Sequence, residues 1–332
     1  MQLRHPAPVG VGGHVRVISP SWPSLFHAPP RARRAEKVLQ EFGLRVSYGT
    51  YASEISDDGV SAGSAEQRAA DFMEAFADPS VDVVFSTYGG ESAHELIPLL
   101  DAELLRTQRK AFVGNSDNVW LHQFLLQEAG LSSYYGITYV GELGEFNGPF
   151  PEIVDQLRRA LMSTEDLVYT PMLRRSNDTN RLVRPESEHK SRQFNMEGGW
   201  QWLRPGYGRG QLIGGEIRAL VELVAHFDMR LDDCVVFWDL TGRTAEGLHE
   251  NLTALADRVS LKGLAGMVVG PHSRIPPDDW ARLLDEALSA VVPTAPYPIL
   301  VNADVGHLDP RWVVPYGREA VLDSSRGLVL PR

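Results

Sequence analysis

Short apolar runs rich in β-branched residues alternate along most of this chain with segments whose apolar positions recur at helical spacing. Residues 14–18 (HVRVI) read as a first strand, stopped by Ser19-Pro20-Ser21. Residues 29–42 read as a helix with arginines on its wet face, ended by Gly43, and 44–48 as a second strand. Ser64 followed by Glu66 is a helix start, with the helix running through Phe76. Residues 81–87 (VDVVFST) are a third strand, broken by Tyr88-Gly89-Gly90-Glu91, and 92–105 read as one helix. Residues 111–114 end a fourth, buried strand, and 119–126 are apolar at helical spacing. Residues 133–150, rich in glycine and aromatics, read as loop, and 151–162 as helix. The pattern weakens over 163–210, which reads as a long connection with some strands. A second series follows: Gly214-Gly215 lead into a helix over 216–227, then come a strand 234–240, a helix 245–259, a strand 264–269, a helix 278–291 and a strand 299–302. Short β segments at 313–315, 320–322 and 327–330 close the chain.

Strands alternating with helices at this spacing predict an α/β fold. The expected architecture is an N-terminal, mostly parallel sheet flanked by helices, and a C-terminal α/β domain with a mixed sheet. The expected divisions are residues 1–150, a connection or lid over 151–210, and residues 211–332. The 332 residues, 43% of them hydrophobic, are enough for two such cores. A net charge of −11 argues against nucleic acid or an anionic membrane as the main partner. The single cysteine, Cys234, lies in an apolar run and reads as a buried core thiol, in keeping with a reducing cytoplasm. The first residues lack an apolar core of signal-peptide length, and no run of about 18 apolar residues suggests a membrane span.

Ligands of parallel sheets bind at the carboxyl ends of the strands. Gly89, Gly90 and Ser116 all fall there. In Gly114-Asn115-Ser116-Asp117 the strand has no room for a loop before the helix, so Ser116 sits on a sharp bend at a positive helix end. That geometry suits a serine nucleophile, because backbone N–H groups there can hold an oxyanion; it equally suits a plain N-cap at Ser116 or Asp117. His307 follows a strand beside Gly306 and is the best candidate for a base, and Asp239 at the end of another strand is the matching acid. Each alone also fits an ordinary turn residue. A dinucleotide fingerprint, a phosphate-cradling loop and a paired-histidine zinc motif are absent, so neither cofactor nor metal is expected.

Taken in order, these motifs resemble the LD-carboxypeptidase family of serine peptidases, and within it the microcin C immunity branch. The resemblance rests on Ser19-Pro20-Ser21, the segment from Ser61 to Ala69, Gly89-Gly90, Leu99-Leu100-Asp101, Gly114-Asn115-Ser116-Asp117, Tyr135-Gly136, Gly144-Glu145-Phe146 and His307 with Pro310 and Pro315-Tyr316-Gly317. It implies a Ser116–His307–Asp239 triad, with the N–H groups of Gly90 and Asp117 as oxyanion donors. It also implies a small peptide or peptidyl-nucleotide substrate and a homodimer. The chain departs from the family at Asn115 for the usual tyrosine, Asp239 for the usual glutamate, and Glu216 for the usual asparagine after Gly214-Gly215; Gly89 and Glu216 are implied substrate-binding positions, Glu216 reading either as a carboxylate that alters the substrate's charge preference or as a first-turn helix acid. Trp200 and Trp202 are the nearest candidates for a tryptophan that stacks on a nucleobase; the other reading is that they pack the connection against the core. The connection's arginines, Arg174-Arg175 and Arg181 beside Asn180, suit a carboxylate or phosphate. The alternatives are a murein tetrapeptide carboxypeptidase and a catalytically weakened binding protein.

Overall fold

The computed structural model describes residues 3–178, 189–242 and 244–331. The chain forms two units. One comprises Met1–Thr164, Asp178–Gln193 and Val313–Tyr316, and the other Glu165–Asn177, Phe194–Trp312 and Gly317–Arg332.

The first unit is built on a six-stranded sheet. Strands β1 (His14–Ile18), β2 (Arg45–Tyr48), β3 (Val83–Ser86), β4 (Ala111–Gly114) and β5 (Ser133–Tyr135) are parallel, and β14 (Val314–Tyr316) adds an antiparallel edge. The order is β14-β5-β4-β3-β1-β2. β3 and β4 are buried along their whole length, which is why their sequences are continuous apolar runs rather than alternating ones. Helix α1 (Ser24–His27) leads directly into α2 (Pro29–Glu41). Helix α3 (Ala65–Ala77) starts in a reciprocal cap: the Ser64 side chain accepts from the Gln67 N–H and the Gln67 side chain accepts from the Ser64 N–H.

The helix expected over 92–105 is not continuous. Ala93–Leu99 is a 3₁₀ helix containing Pro98, which lacks an N–H and disfavours α geometry just before it. The short α4 (Ala102–Leu105) then starts afresh, capped by the Asp101 carboxylate. The loop expected over 133–150 instead contains β5 and a wide π-type turn, Tyr139–Leu143. Arg31 holds that turn from α2, donating to the carbonyls of Val140 (3.1 Å) and Gly141 (2.7 Å). Helices α5 (Val119–Gln127) and α6 (Pro151–Met162) complete the unit.

The second unit has an eight-stranded mixed sheet, ordered β6-β16-β15-β10-β11-β12-β13-β9. Its strands are β6 (Leu167–Tyr169), β9 (Gln201–Arg204), β10 (Tyr207–Glu216), β11 (Cys234–Asp239), β12 (Gly266–Val269), β13 (Ile299–Val301), β15 (Glu319–Asp323) and β16 (Gly327–Leu330). β7 (Arg174–Arg175) and β8 (Met196–Glu197) pair separately. β10 to β13 are parallel neighbours, served by helices α7 (Ile217–His226), α8 (Leu248–Ala256) and α9 (Pro277–Val291). The ten-residue β10 has no counterpart among the predicted elements, and its first residues, 207–210, fall in the predicted connection. Its glycines hide it: a Cβ on Gly208 or Gly214 would collide with the carbonyl oxygens of Ala265 or Phe237, so close backbone approach replaces the usual β-branched side chains. Cys234 is buried, and burial pushes its thiol up to about 11. Among the described residues, no helix is long and apolar enough to cross a membrane.

Candidate active-site halves

In the first unit, β4 passes through extended Asn115 into Ser116, which has a φ of +60°. A serine rarely adopts this left-handed geometry, and holding it costs about 1–3 kcal/mol, so the surrounding contacts must impose it. The Ser116 N–H donates to the Tyr135 hydroxyl on β5 (3.2 Å). The Asn118 amide donates to the Tyr88 carbonyl (3.1 Å), tying the bend to the turn after β3. In that turn the absence of a side chain at Gly89 is required, since a Cβ there would lie 2.8 Å from Ser116 Cβ and 3.2 Å from its hydroxyl. Gly90 takes a φ of +154°, and a Cβ on it would collide with Ser21 Oγ.

The Asp117 carboxylate bonds to the segments that follow β1 and β3. It accepts from the Ser21 hydroxyl (2.6 Å) and the Ala93 N–H (2.8 Å). Burial pushes this carboxyl up, while those hydrogen bonds pull it down.

In the second unit, Asp239 ends the fully buried β11, in register with Glu216 at the end of β10. Asp239 is 3% exposed and accepts a 2.7 Å hydrogen bond from His307 Nδ1. An ionised carboxylate only accepts, so Nδ1 carries the proton and, in the neutral ring, Nε2 presents the lone pair. Gly306, at a φ of +98°, lets the His307 turn descend on the acid; a Cβ there would collide with Asp239 Cγ. Burial is the largest influence on the imidazole and lowers its pKa. The Asp239 charge and hydrogen bond, with Glu216 adding to them, more than offset it and hold His307 above its ordinary value.

The loop that presents His307 is tied down from Met172–Ser176. Arg175 and Asp304 form an ion pair (2.7 Å) with both side chains almost wholly buried. The Met172 N–H donates to Asp304 (2.9 Å), the Ser176 N–H donates to the Asp309 carbonyl (2.7 Å), and Arg175 also reaches the Asn302 carbonyl. Burial pushes the Asp304 carboxyl up to about 6, against the pull of Arg175.

The remaining expected residues have local duties. Glu216 caps α7, accepting from the Arg218 N–H (3.0 Å) and pairing with the Arg218 guanidinium (3.0 Å). Trp200 packs edge-on against Trp312, ring centres 5.7 Å apart, and Trp202 lies opposite Leu300 across β9 and β13. Arg174 sits over the Phe194 ring and Arg175 is committed to Asp304, whereas Asn180 and Arg181 lie outside the described residues. Among the described residues, no group of His, Cys, Asp and Glu is arranged to hold a metal. Tyr135, Ser21, Arg68 and Asp304 have no role that the sequence pattern predicts. The first three lie in the quoted motifs, but their bonds join segments far apart in the chain.

The LD-carboxypeptidase N-terminal domain matches residues 15–136, and the LD-carboxypeptidase C-terminal domain matches residues 209–322. The microcin C7 self-immunity protein MccF of Escherichia coli is 23% identical over 96% of this chain and 92% of its own length. A probable murein peptide carboxypeptidase of Bacillus subtilis is 26% identical over 96% and 92%. Among solved structures, an MccF-like protein from Bacillus anthracis superposes with a TM-score of 0.88 at 26% identity, covering 98% of this chain and 99% of that one. MccF in complex with aspartyl sulfamoyl adenosine superposes with a TM-score of 0.86 at 21% identity, covering 98% of each, a likeness of fold.

Proposed function

The chain belongs to the LD-carboxypeptidase family and is a serine-type carboxypeptidase hydrolase, and on that footing we propose that Ser116, His307 and Asp239 are its catalytic triad. In this reading His307 Nε2 takes the proton as Ser116 Oγ attacks the scissile carbonyl. The N–H groups of Gly90 and Asp117 hold the oxyanion. Collapse breaks the C–N bond, and His307 returns the proton to the departing amine. Water, deprotonated by the same imidazole, then releases the acyl group from Ser116. The observation that carries the reading is the 2.7 Å bond from His307 to the buried Asp239: the aspartate, one methylene shorter than the family's glutamate, still reaches the ring.

The proposed substrate is a peptidyl- or aminoacyl-nucleotide conjugate. MccF structures with aspartyl sulfamoyl adenosine and glutamyl sulfamoyl guanosine support that class. The relative named as a murein peptide carboxypeptidase supports a second reading, removal of D-alanine from a murein tetrapeptide. Wild type and Ser116→Ala are each incubated with an aminoacyl sulfamoyl adenosine and with murein tetrapeptide, and products are followed by mass spectrometry. Serine-dependent release of the amino acid from the nucleoside is the expected result. Serine-dependent loss of D-alanine alone selects the second reading, and hydrolysis that survives Ser116→Ala removes both. The family also leads to a homodimer, which light scattering of the purified chain tests.

A further inference from the structure

The polar cluster behind the Ser116 bend has a position that a simple turn does not need. The segments that follow β1, β3 and β4 meet at the Asp117 carboxylate. From the β1 side comes the Ser21 hydroxyl (2.6 Å), from the β3 side the Ala93 N–H (2.8 Å), and Asp117 itself follows β4. Ser21 is fully buried, also accepts the Ser92 N–H (3.1 Å), and fills the space that a side chain on Gly90 would take. Arg68, itself 2% exposed, backs the cluster from α3, donating to the carbonyls of Pro20 (2.8 Å) and Ser92 (2.9 Å) and pairing with Glu95.

We propose that Ser21 and the Asp117 side chain are positioning residues that set the spacing between the Gly90 and Asp117 backbone N–H groups. The proposal rests on those two groups being the oxyanion donors. The geometry gives the reason. Ser21 occupies the space beside Gly90 where a side chain would stand, Ser21 bonds Asp117, and Asp117 is covalently joined to Ser116, so a short series of close neighbours fixes both donors relative to the attacking hydroxyl. A buried carboxylate is costly unless its bonds compensate, and here those bonds lead to the two segments that must hold still. Donors of this kind act only when placed about 2.7–3.1 Å from the oxyanion, and a displacement of about 1 Å can lower the rate roughly 100-fold. Ser21 and Asp117 therefore act on the transition state more than on the bound substrate.

The test uses the full chain with Ser21→Ala, Asp117→Ala and Asp117→Asn, measuring kcat and KM on the substrate that wild type hydrolyses, with urea unfolding run in parallel. Asp117→Ala is expected to lower kcat about 100-fold with KM changed by less than about 3-fold. Asp117→Asn keeps a carbonyl oxygen to accept from Ser21 and Ala93, and is expected to return kcat to within about 10-fold of wild type. Ser21→Ala falls between them. Variants that lose stability but keep kcat, or that raise KM alone, overturn the proposal. A fluorophosphonate probe separates this from failure of the underlying reading: if wild type is not labelled at Ser116, the oxyanion assignment falls and the proposal with it.

Discussion

The two units arrive at their candidate residues by different means. Around Ser116 the geometry is set first by backbone, in a strand end, a left-handed residue and glycines too close to a neighbour for any side chain, and side chains such as Ser21, Asp117 and Tyr135 then hold that backbone in place. Around His307 it is set by side chains: a buried aspartate on the imidazole, and a buried ion pair that joins positions 129 residues apart. Backbone arrangements tolerate little change of residue type, because each glycine or left-handed position admits few side chains. Side-chain arrangements assembled from distant segments depend on every partner, because removing one leaves a buried charge alone.

The largest effect should come from the proposed catalytic residues themselves. In the proposed mechanism Ser116→Ala and His307→Ala each lower kcat by about 10⁴-fold or more, and the double variant is no worse than either single one, because residues acting as a unit are not additive. Additive losses in single-turnover kinetics would mean that Ser116 and His307 do not act in one catalytic step. Next is Asp239→Asn, which should lower kcat by about 10⁴-fold by freeing the wrong tautomer, while Asp239→Glu, which restores the family's residue, stays within about 10-fold.

The pH profile follows from the same dyad. A base must be neutral, and the Asp239 charge keeps His307 protonated to a higher pH than an ordinary imidazole. The rise of kcat/KM with pH should therefore be centred above the usual value of about 6.5. Asp239→Asn should move it down, and Glu216→Gln should move it down by less. A rise centred at or below the ordinary value in wild type would count against Asp239 as the partner.

Arg175→Met tests the side-chain half by stability. It leaves Asp304 buried and unpaired, and should cost about 3–5 kcal/mol in urea unfolding. The smallest effect tests the backbone half. Ser116→Gly removes the left-handed strain, so it should be more stable than Ser116→Ala by about 1 kcal/mol. Equal stabilities would show that the bend holds no strain.

The same contrast explains what could be read from the chain. The Ser116 bend was visible because its parts are adjacent: an apolar run, Gly114, and a helix start. β3 and β4 were visible because burial on both faces makes them continuous apolar runs. Asp239 and His307 were visible only as strand-end residues, and the family resemblance joined them. β10 was missed because glycines replaced its β-branched residues. The break at Pro98 is legible in the sequence, since a proline disfavours α geometry before it, but apolar spacing alone runs through it; the π-type turn is not legible, because periodicity does not show which backbone groups a distant arginine will satisfy. The strap from Met172–Ser176 to the His307 loop was invisible for the same reason.

In the proposed mechanism His307 activates Ser116. The most direct measurement is the rate at which a fluorophosphonate labels Ser116, read by intact-protein and peptide mass spectrometry, in wild type and in His307→Ala. Labelling at Ser116 in wild type and a fall of about 10³-fold or more in the variant are expected. Labelling of His307→Ala at the wild-type rate would contradict this mechanism.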